Sequence, residues 1–164
     1  MDFSVWLTSF RELHERARRK LLTSEEHASY LEAREQLARS LLAAQGQSVP
    51  AGSMARRNFR VPKGMALDIS FRSGALRSRT LDISSGGFSC MMPGNPLQAE
   101  HLGFVLWLPG EDEAPVVGRA RIASVSTTES GPRRTSFAFE FVSEDDYERL
   151  ELMIFDLALG YITA

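Results

Sequence analysis

Two short motifs contain the residues whose types and spacing suit binding chemistry. The first is Arg56-Arg57-Asn58-Phe59-Arg60, an Arg-x-x-x-Arg run, and the second is Asp82-Ile83-Ser84-Ser85-Gly86-Gly87, an Asp-x-Ser-x-x-Gly run. Each guanidinium is a planar fork of donors that matches the oxygens of a phosphate, and the carboxylate can only accept. The arginine motif therefore indicates binding of an anionic partner.

The basic residues are concentrated around the first motif. Residues 1–49 contain seven basic and seven acidic side chains, residues 55–80 contain seven basic and one acidic, and residues 81–164 contain five basic and thirteen acidic. The net charge of -2 conceals this asymmetry. Such clustering indicates an anionic partner at one place, although charge alone fits equally well a solvated loop whose arginines pair with the acidic remainder.

The elements that must position these motifs can be predicted from periodicity. Residues 2–45 contain no Pro or Gly, and their apolar residues recur at helical spacing from Phe3 to Leu21. Thr23 and Glu26 stand three apart as a capping box that begins a second helix. The segment therefore predicts an antiparallel helical hairpin.

The composition changes at residues 46–53, where Gly, Ser and Pro replace the helix formers. Short apolar runs separated by turn residues follow, at residues 65–71, 76–83, 88–92, 102–108, 116–126 and 136–142. Six such runs predict a small antiparallel barrel, with Trp107 and Cys90 in its core. A final helix is expected to begin after the Ser143 cap and to end at Gly160.

These elements predict an α+β, mainly β chain with a six-stranded antiparallel β-barrel, a C-terminal helix and an N-terminal helical hairpin. The expected organisation is a helical hairpin at residues 1–45, a flexible linker at 46–55 and a barrel domain with its helix at 56–160. A length of 164 residues suits one domain with an appended helical piece. With one cysteine, no signal-peptide pattern and no long apolar span, we expect a cytoplasmic protein.

The order and separation of the two motifs resemble the PilZ domain family of cyclic di-GMP receptors. Val61, the Gly86-Gly87-Phe88 exit, the strand from Phe137 to Phe141 and the closing helix are also similar to that family. The resemblance covers roughly residues 54–158 and implies a bacterial origin, a PilZ-type barrel and cyclic di-GMP as the ligand. It implies no enzymatic activity, cofactor or metal.

The resemblance assigns ligand contacts to Asp82, Ser84 and Gly87. Arginine can pair with phosphate or with the O6/N7 edge of guanine, which suits Arg56 and Arg60, and Asp82 can accept from the guanine N1 and N2 donors. Ser84 can donate to a phosphate or orient its loop, and Gly86 and Gly87 permit positive φ and a close backbone approach that a Cβ would block. The predicted ligand-binding residues are Arg56, Arg57, Arg60, Asp82, Ser84, Gly86 and Gly87.

One position departs from the family pattern. Many members have another arginine directly before the Arg-x-x-x-Arg run, where this chain has Ala55. Whether one cyclic di-GMP or a stacked pair binds therefore stays open. Arg57 either substitutes in part for that arginine or faces water.

Two other classes of function remain open at this point. A basic small barrel can bind nucleic acid, although Phe59 and Phe71 are the only rings near the cluster. Alternatively, the domain is a ligand-independent adaptor that acts through its helices. In either case Phe3, Trp6 and Phe10 either cover the barrel or form an interface with a protein partner or a second copy.

Catalytic and metal chemistry are not indicated. Ser84 lacks a Gly-x-Ser-x-Gly context, and no histidine is placed as its base. His14, His27 and His101 are scattered without metal-ligand spacing, and we expect surface or capping roles for them.

Overall fold

A computed structural model describes residues 2–46, 55–57, 59–93, 99–110, 114–126 and 131–162. The predicted linker falls largely on residues 47–54, which lie outside the described residues. The elements in chain order are α1 (Phe3–Arg18), α2 (Ser24–Ala44), a one-turn 3-10 helix (Ala55–Arg57), β1 (Val61–Pro62), β2 (Ala66–Phe71), β3 (Gly74–Ser84), β4 (Gly87–Met92), β5 (His101–Leu106), β6 (Val116–Val125), β7 (Arg133–Val142) and α3 (Glu144–Tyr161).

The chain divides into two compact units. The barrel unit contains residues 60–151, and the helical unit contains residues 1–59 and 152–164. Helix α3 begins in the barrel unit, and its part from Leu152 onward belongs to the helical unit.

The barrel unit is a closed ring of six antiparallel strands. The strands β2, β3, β4, β7, β6 and β5 pair in that order, and β5 returns to β2. The two-residue β1 pairs with the end of β3, where Val61 lies opposite Ile83. This confirms the predicted six-stranded barrel, and closure leaves the six strands without free edges.

Aromatic rings fill the barrel core. Phe88 stacks on Phe137 with ring centroids 4.9 Å apart and meets Phe104 edge-on at 5.5 Å. Alternate residues of β2, such as Leu67 and Ile69, point inward and are fully buried. Alternation of this kind is the period-2 pattern that predicted the strands.

The helical unit is built from α1, α2 and the end of α3. The predicted capping box is present at the start of α2, where Thr23 Oγ1 accepts from the Glu26 amide. Phe10 stacks on Tyr30 with centroids 5.7 Å apart, and the Arg11 guanidinium donates to the Leu159 carbonyl at 3.0 Å. Both helices of the predicted hairpin therefore form, and α1 is tied to α3.

A buried guanidinium lies in the centre of the helical unit. Arg34 is fully buried, and its Cζ lies 5.0 Å from the centroid of Tyr30 and 5.4 Å from that of Phe155. Aromatic faces attract a cation because of their quadrupole. Phe155 also meets Phe59 edge-on at 5.3 Å, so the segment before β1 is packed into this core.

His14 does not have the surface role expected for it. It is 3% exposed, its Nδ1 lies 2.6 Å from the Tyr30 hydroxyl, and its Nε2 lies 3.4 Å from Asp156 Oδ1. Burial lowers the pKa of His14, although Asp156 opposes the shift. Helical periodicity alone did not distinguish His14 from its exposed neighbours, because its burial depends on the contact with α2 and α3.

Three smaller predictions were also wrong. The first helix ends at Arg18, short of Leu21. The last helix continues through Gly160 to Tyr161. Trp107 is 36% exposed, and the Arg77 guanidinium lies 5.9 Å from its ring centroid, whereas Cys90 is fully buried as predicted. No helix among the described residues is both long and apolar enough to cross a bilayer.

Candidate ligand-binding site

The carboxylate of Asp82 is placed by an irregularity in the β3–β4 ladder. Thr80 pairs with Cys90 and Asp82 pairs with Ser89, so the register shifts between Thr80 and Asp82. Such a bulge re-aims the side chains beside it. Asp82 is 7% exposed, whereas Leu81 in the bulge is 38% exposed.

In the described part of the chain, three side chains hydrogen-bond to the Asp82 carboxylate. Arg60 Nη1 donates to Oδ1 at 2.8 Å, and the Ser89 hydroxyl donates to the same oxygen at 2.7 Å. Arg134 Nη2 donates to Oδ2 and lies 3.5 Å from Ser89 Oγ. We call Arg60, Asp82, Ser89 and Arg134 the Asp82 cluster.

The Asp82 cluster has an excess of positive charge. It contains two guanidiniums and one carboxylate, and both arginine side chains are more exposed, at 39% and 55%, than the Asp82 side chain at 10%. A partly desolvated carboxylate is stabilised by paired donors of this kind. Because both guanidinium groups are partly exposed, an anion from solvent can approach them.

Ser84 holds the turn that follows β3. Its hydroxyl donates to the Gly87 carbonyl at 3.3 Å and accepts from the Gly86 amide at 3.2 Å. Ser84 is only 2% exposed. Of the two roles expected for Ser84, these contacts correspond to orienting the loop.

Gly87 is required by the approach of the neighbouring strand. A Cβ at Gly87 would lie 1.8 Å from the Phe137 carbonyl oxygen of β7, and φ at Gly87 lies outside the left-handed region. The close backbone approach expected at this motif is therefore made to β7 and does not depend on positive φ. Gly86 is tied to the same strand, because its carbonyl accepts from the Phe139 amide at 2.9 Å.

Arg56 and Arg57 lie in the helical unit, in the 3-10 turn that begins at Ala55. Glu35 of α2 accepts from the Ala55 amide at 2.8 Å and from the Arg56 amide at 3.5 Å. Since a carboxylate accepts strongly from backbone amides, these bonds attach the turn to α2. Ala55 itself is fully buried.

The barrel unit thus brings together Arg60, Asp82, Ser84, Gly86 and Gly87 of the predicted site. The Asp82 cluster also contains Ser89 and Arg134, which lie outside both sequence motifs. Ser89 could have been predicted from the register of the β3–β4 hairpin, because it lies opposite Asp82 in that ladder. Arg134 is 52 residues from Asp82 in the chain, and only closure of the barrel brings it there.

No three His, Cys, Asp or Glu residues in the described part of the chain are grouped so that they could hold a metal ion.

The Asp82 cluster offers a carboxylate acceptor surrounded by guanidinium donors. Such an arrangement can bind a ligand that has both anionic groups and hydrogen-bond donors.

The sequence model of the PilZ domain matches residues 55–156. Because this match covers more than half of the chain, the chain belongs to the PilZ domain family. Its range includes the arginine motif, the Asp82 cluster and most of α3. No curated protein has significant sequence similarity to the chain.

Several solved structures share the fold. The Bacillus subtilis inhibitor of motility MotI/DgrA is 19% identical with a TM-score of 0.59, and the match covers 71% of this chain and 59% of that one. The K. pneumonia MrkH–c-di-GMP complex is 23% identical with a TM-score of 0.53, covering 64% and 53%. YcgR from Escherichia coli in complex with c-di-GMP is 22% identical with a TM-score of 0.52, covering 65% and 48%.

At these identities the structural likeness establishes the fold. The matched region also spans only about half to three fifths of the length of those chains.

Proposed function

We propose that the chain is a non-enzymatic receptor for cyclic di-GMP, which it binds at the Asp82 cluster and the arginine motif. The single observation that carries the proposal is the Arg60–Asp82 pair, which joins the two motifs at one place on a PilZ barrel. The MrkH and YcgR structures with c-di-GMP bound support the choice of ligand.

The recognition chemistry follows from the groups present. Cyclic di-GMP carries two phosphodiester anions, and each guanine presents the N1–H and N2–H donors on one edge. Asp82 accepts from those donors, and Arg56, Arg57 and Arg60 pair with the phosphates or with the O6/N7 edge of guanine. Ser84, Gly86 and Gly87 hold the turn beside the carboxylate.

Ligand binding requires the Arg60–Asp82 pair to open. The two groups are 2.8 Å apart, and Arg60 is 39% exposed. Because Ser89 and Arg134 also donate to Asp82, the carboxylate stays paired when Arg60 leaves, and new contacts to a doubly charged ligand offset the lost bond. The pair keeps both groups ordered until the nucleotide replaces it.

The first test is an Arg60→Ala variant studied by titration calorimetry with cyclic di-GMP. A charged hydrogen bond contributes about 1.5–3 kcal/mol, so we expect the affinity to fall by about 10- to 150-fold. Arg77→Ala is the matched control, because it also breaks an Arg–Asp pair, with Asp68 at 2.9 Å, but on the exposed barrel surface. Equal affinities of the two variants would reject the assignment, and the wild-type stoichiometry distinguishes one ligand from a stacked pair.

Competition separates the proposal from the other two classes. We expect unlabelled cyclic di-GMP to displace a fluorescent analogue, and GTP and single-stranded DNA to fail. Displacement by DNA together with a steep salt dependence would favour nucleic-acid binding. An absence of binding by the analogue would favour a ligand-independent adaptor.

We further propose that binding changes the orientation of the helical unit. Arg56 and Arg57 belong to the helical unit, and Arg60 belongs to the barrel unit. Because Glu35 attaches the Arg56 turn to α2, a ligand held by Arg56 and Arg60 would restrain both units.

Distance measurements between spin labels test this relay. Leu21→Cys and Val117→Cys place labels at positions 60% and 55% exposed, one in each unit. We expect cyclic di-GMP to shift the distance distribution and an added Arg56→Ala substitution to abolish the shift. Identical distributions with and without saturating ligand would contradict the relay.

The N-terminal end of α1 supports a protein contact or self-association. Phe3 is 51% exposed and stacks on Trp6 with centroids 6.0 Å apart, and Val5 is 55% exposed. We expect the mass in solution, measured with and without cyclic di-GMP, to show whether a second copy binds there. A dimer that dissociates in a Phe3→Ser variant would show that a second copy binds at this end of α1. A monomer with and without cyclic di-GMP would leave a different protein as the partner.

A further inference from the structure

A second guanidinium, besides that of Arg60, reaches Asp82 from a strand outside both sequence motifs. Arg134 is the second residue of β7, and its Nη2 donates to Asp82 Oδ2. Its side chain is 55% exposed, whereas that of Asp82 is 10% exposed. Arg134 therefore touches the buried carboxylate while much of its guanidinium faces solvent.

The acceptors of Asp82 are almost fully used. A carboxylate has about four lone-pair sites, two on each oxygen. Arg60 and Ser89 donate to Oδ1, and Arg134 donates to Oδ2. Among the described residues, no donor fills the second acceptor position on Oδ2.

A guanine edge needs one acceptor on each oxygen, so a donor must leave Oδ1. Ser89 is 1% exposed and fixed opposite Asp82 in the ladder. The Arg60 side chain, at 39% exposed, borders solvent and can leave the carboxylate more readily than the buried Ser89. Arg60 is therefore the donor that leaves, whereas Arg134, on the other oxygen, can stay.

We propose that Arg134 is a further ligand-binding residue, which stays on Asp82 while Arg60 leaves and uses its outer N–H groups to bind an anionic oxygen of the nucleotide. The proposal rests on the cyclic di-GMP function proposed above. A guanidinium has five N–H donors, of which Nη2 makes the contacts to Asp82 and Ser89. The remaining donors match a phosphate in a paired geometry that lysine cannot reproduce.

The neighbouring arginine offers a matched control. Arg133 precedes Arg134 on β7, and its Nη1 donates to the Ser126 carbonyl at 3.4 Å. Successive strand residues point to opposite faces, so Arg133→Ala removes the same charge on the other face of the strand. If Arg134 acted only through long-range charge, Arg133→Ala and Arg134→Ala would lower the affinity for cyclic di-GMP equally.

The experiment is calorimetry with cyclic di-GMP on the wild type, Arg133→Ala, Arg134→Ala and Arg134→Lys. We expect Arg134→Ala to lose about tenfold or more in affinity, Arg133→Ala to stay within about twofold of the wild type, and Arg134→Lys to recover only part of the loss. Thermal unfolding of each variant checks that the barrel is intact. If Arg134→Ala does not fold, the affinity of Arg134→Lys is compared with that of the wild type instead.

The two levels of the proposal fail in different ways. If the wild type binds and Arg134→Ala matches Arg133→Ala, the role of Arg134 is rejected and the receptor function stands. Full recovery by lysine would also reject the paired contact. If the wild type does not bind cyclic di-GMP, the receptor function and the role of Arg134 fail together.

Discussion

The carboxylate of Asp82 gives the account a test of base specificity. Asp82→Asn keeps the shape of the side chain but replaces one acceptor oxygen by a donor and removes the charge. Guanine then meets one acceptor in place of two. Because hydrogen bonds to charged groups contribute about 1.5–3 kcal/mol, we expect the affinity for cyclic di-GMP to fall by about 10- to 150-fold.

The same substitution changes which base fits. The Watson–Crick edge of adenine lacks the N1–H and N2–H donors that a carboxylate needs, and an asparagine amide can pair with adenine. We therefore expect the preference for cyclic di-GMP over cyclic di-AMP to fall by about tenfold or more in Asp82→Asn, as the guanine contact is lost. Competitive displacement of a fluorescent cyclic di-GMP analogue measures both affinities.

The ratio separates base recognition from a structural role. Asp82 also holds Arg60 at 2.8 Å and accepts from Arg134. If holding those arginines were its whole role, both nucleotides would lose affinity in parallel, and the ratio would stay at its wild-type value. An unchanged ratio would refute the reasoning for Asp82, even if the affinity fell.

Three further predictions concern stability and reactivity. Gly87→Ala places a Cβ 1.8 Å from the Phe137 carbonyl oxygen, and we expect urea unfolding to show a loss of about 3 kcal/mol or more in stability. Gly103→Ala is the control, because the nearest atom to its added Cβ is 3.9 Å away and little effect is expected. Similar urea midpoints for the two variants would contradict the packing at Gly87. Burial lowers the pKa of His14, so below the unfolded pKa of 6.5 the unfolded chain binds a proton more readily than the folded chain does. The free energy of unfolding should therefore fall as the pH drops below 6.5. Measured by urea unfolding at several pH values, this pH dependence should be weaker in His14→Gln. Burial raises the pKa of Cys90 from 9.0 to about 11. A disulfide reagent at mildly alkaline pH should therefore modify the thiol only after denaturation. Rapid labelling of the folded chain would disprove the burial of Cys90.

Much of the fold could be predicted because its signals are local. The capping box at Thr23 and the alternation in β2 each depend on a few neighbouring residues, and both are present in the structure. The burial of His14 was missed because it depends on Tyr30 and Asp156, which lie on other helices. The exposure of Trp107 was missed because Trp107 follows directly after β5, and an apolar run alone does not show which of its side chains face solvent.

The candidate site divides in the same way. Arg60 and Asp82 could be assigned to one ligand site from the order and spacing of the two motifs, but their direct contact was not predicted. Arg134 could not be predicted, because β7 reaches Asp82 only when the barrel closes through β4. Gly87 was identified correctly as a position for close approach, but the approaching group in the barrel is the backbone of β7.

A crystal structure of the chain saturated with cyclic di-GMP would test the central claim most directly. The account predicts that a guanine edge lies against the Asp82 carboxylate, that Arg60 has left Asp82 for the nucleotide, and that Arg134 remains on the carboxylate. An intact Arg60–Asp82 pair, with the nucleotide bound elsewhere on the chain, would contradict it.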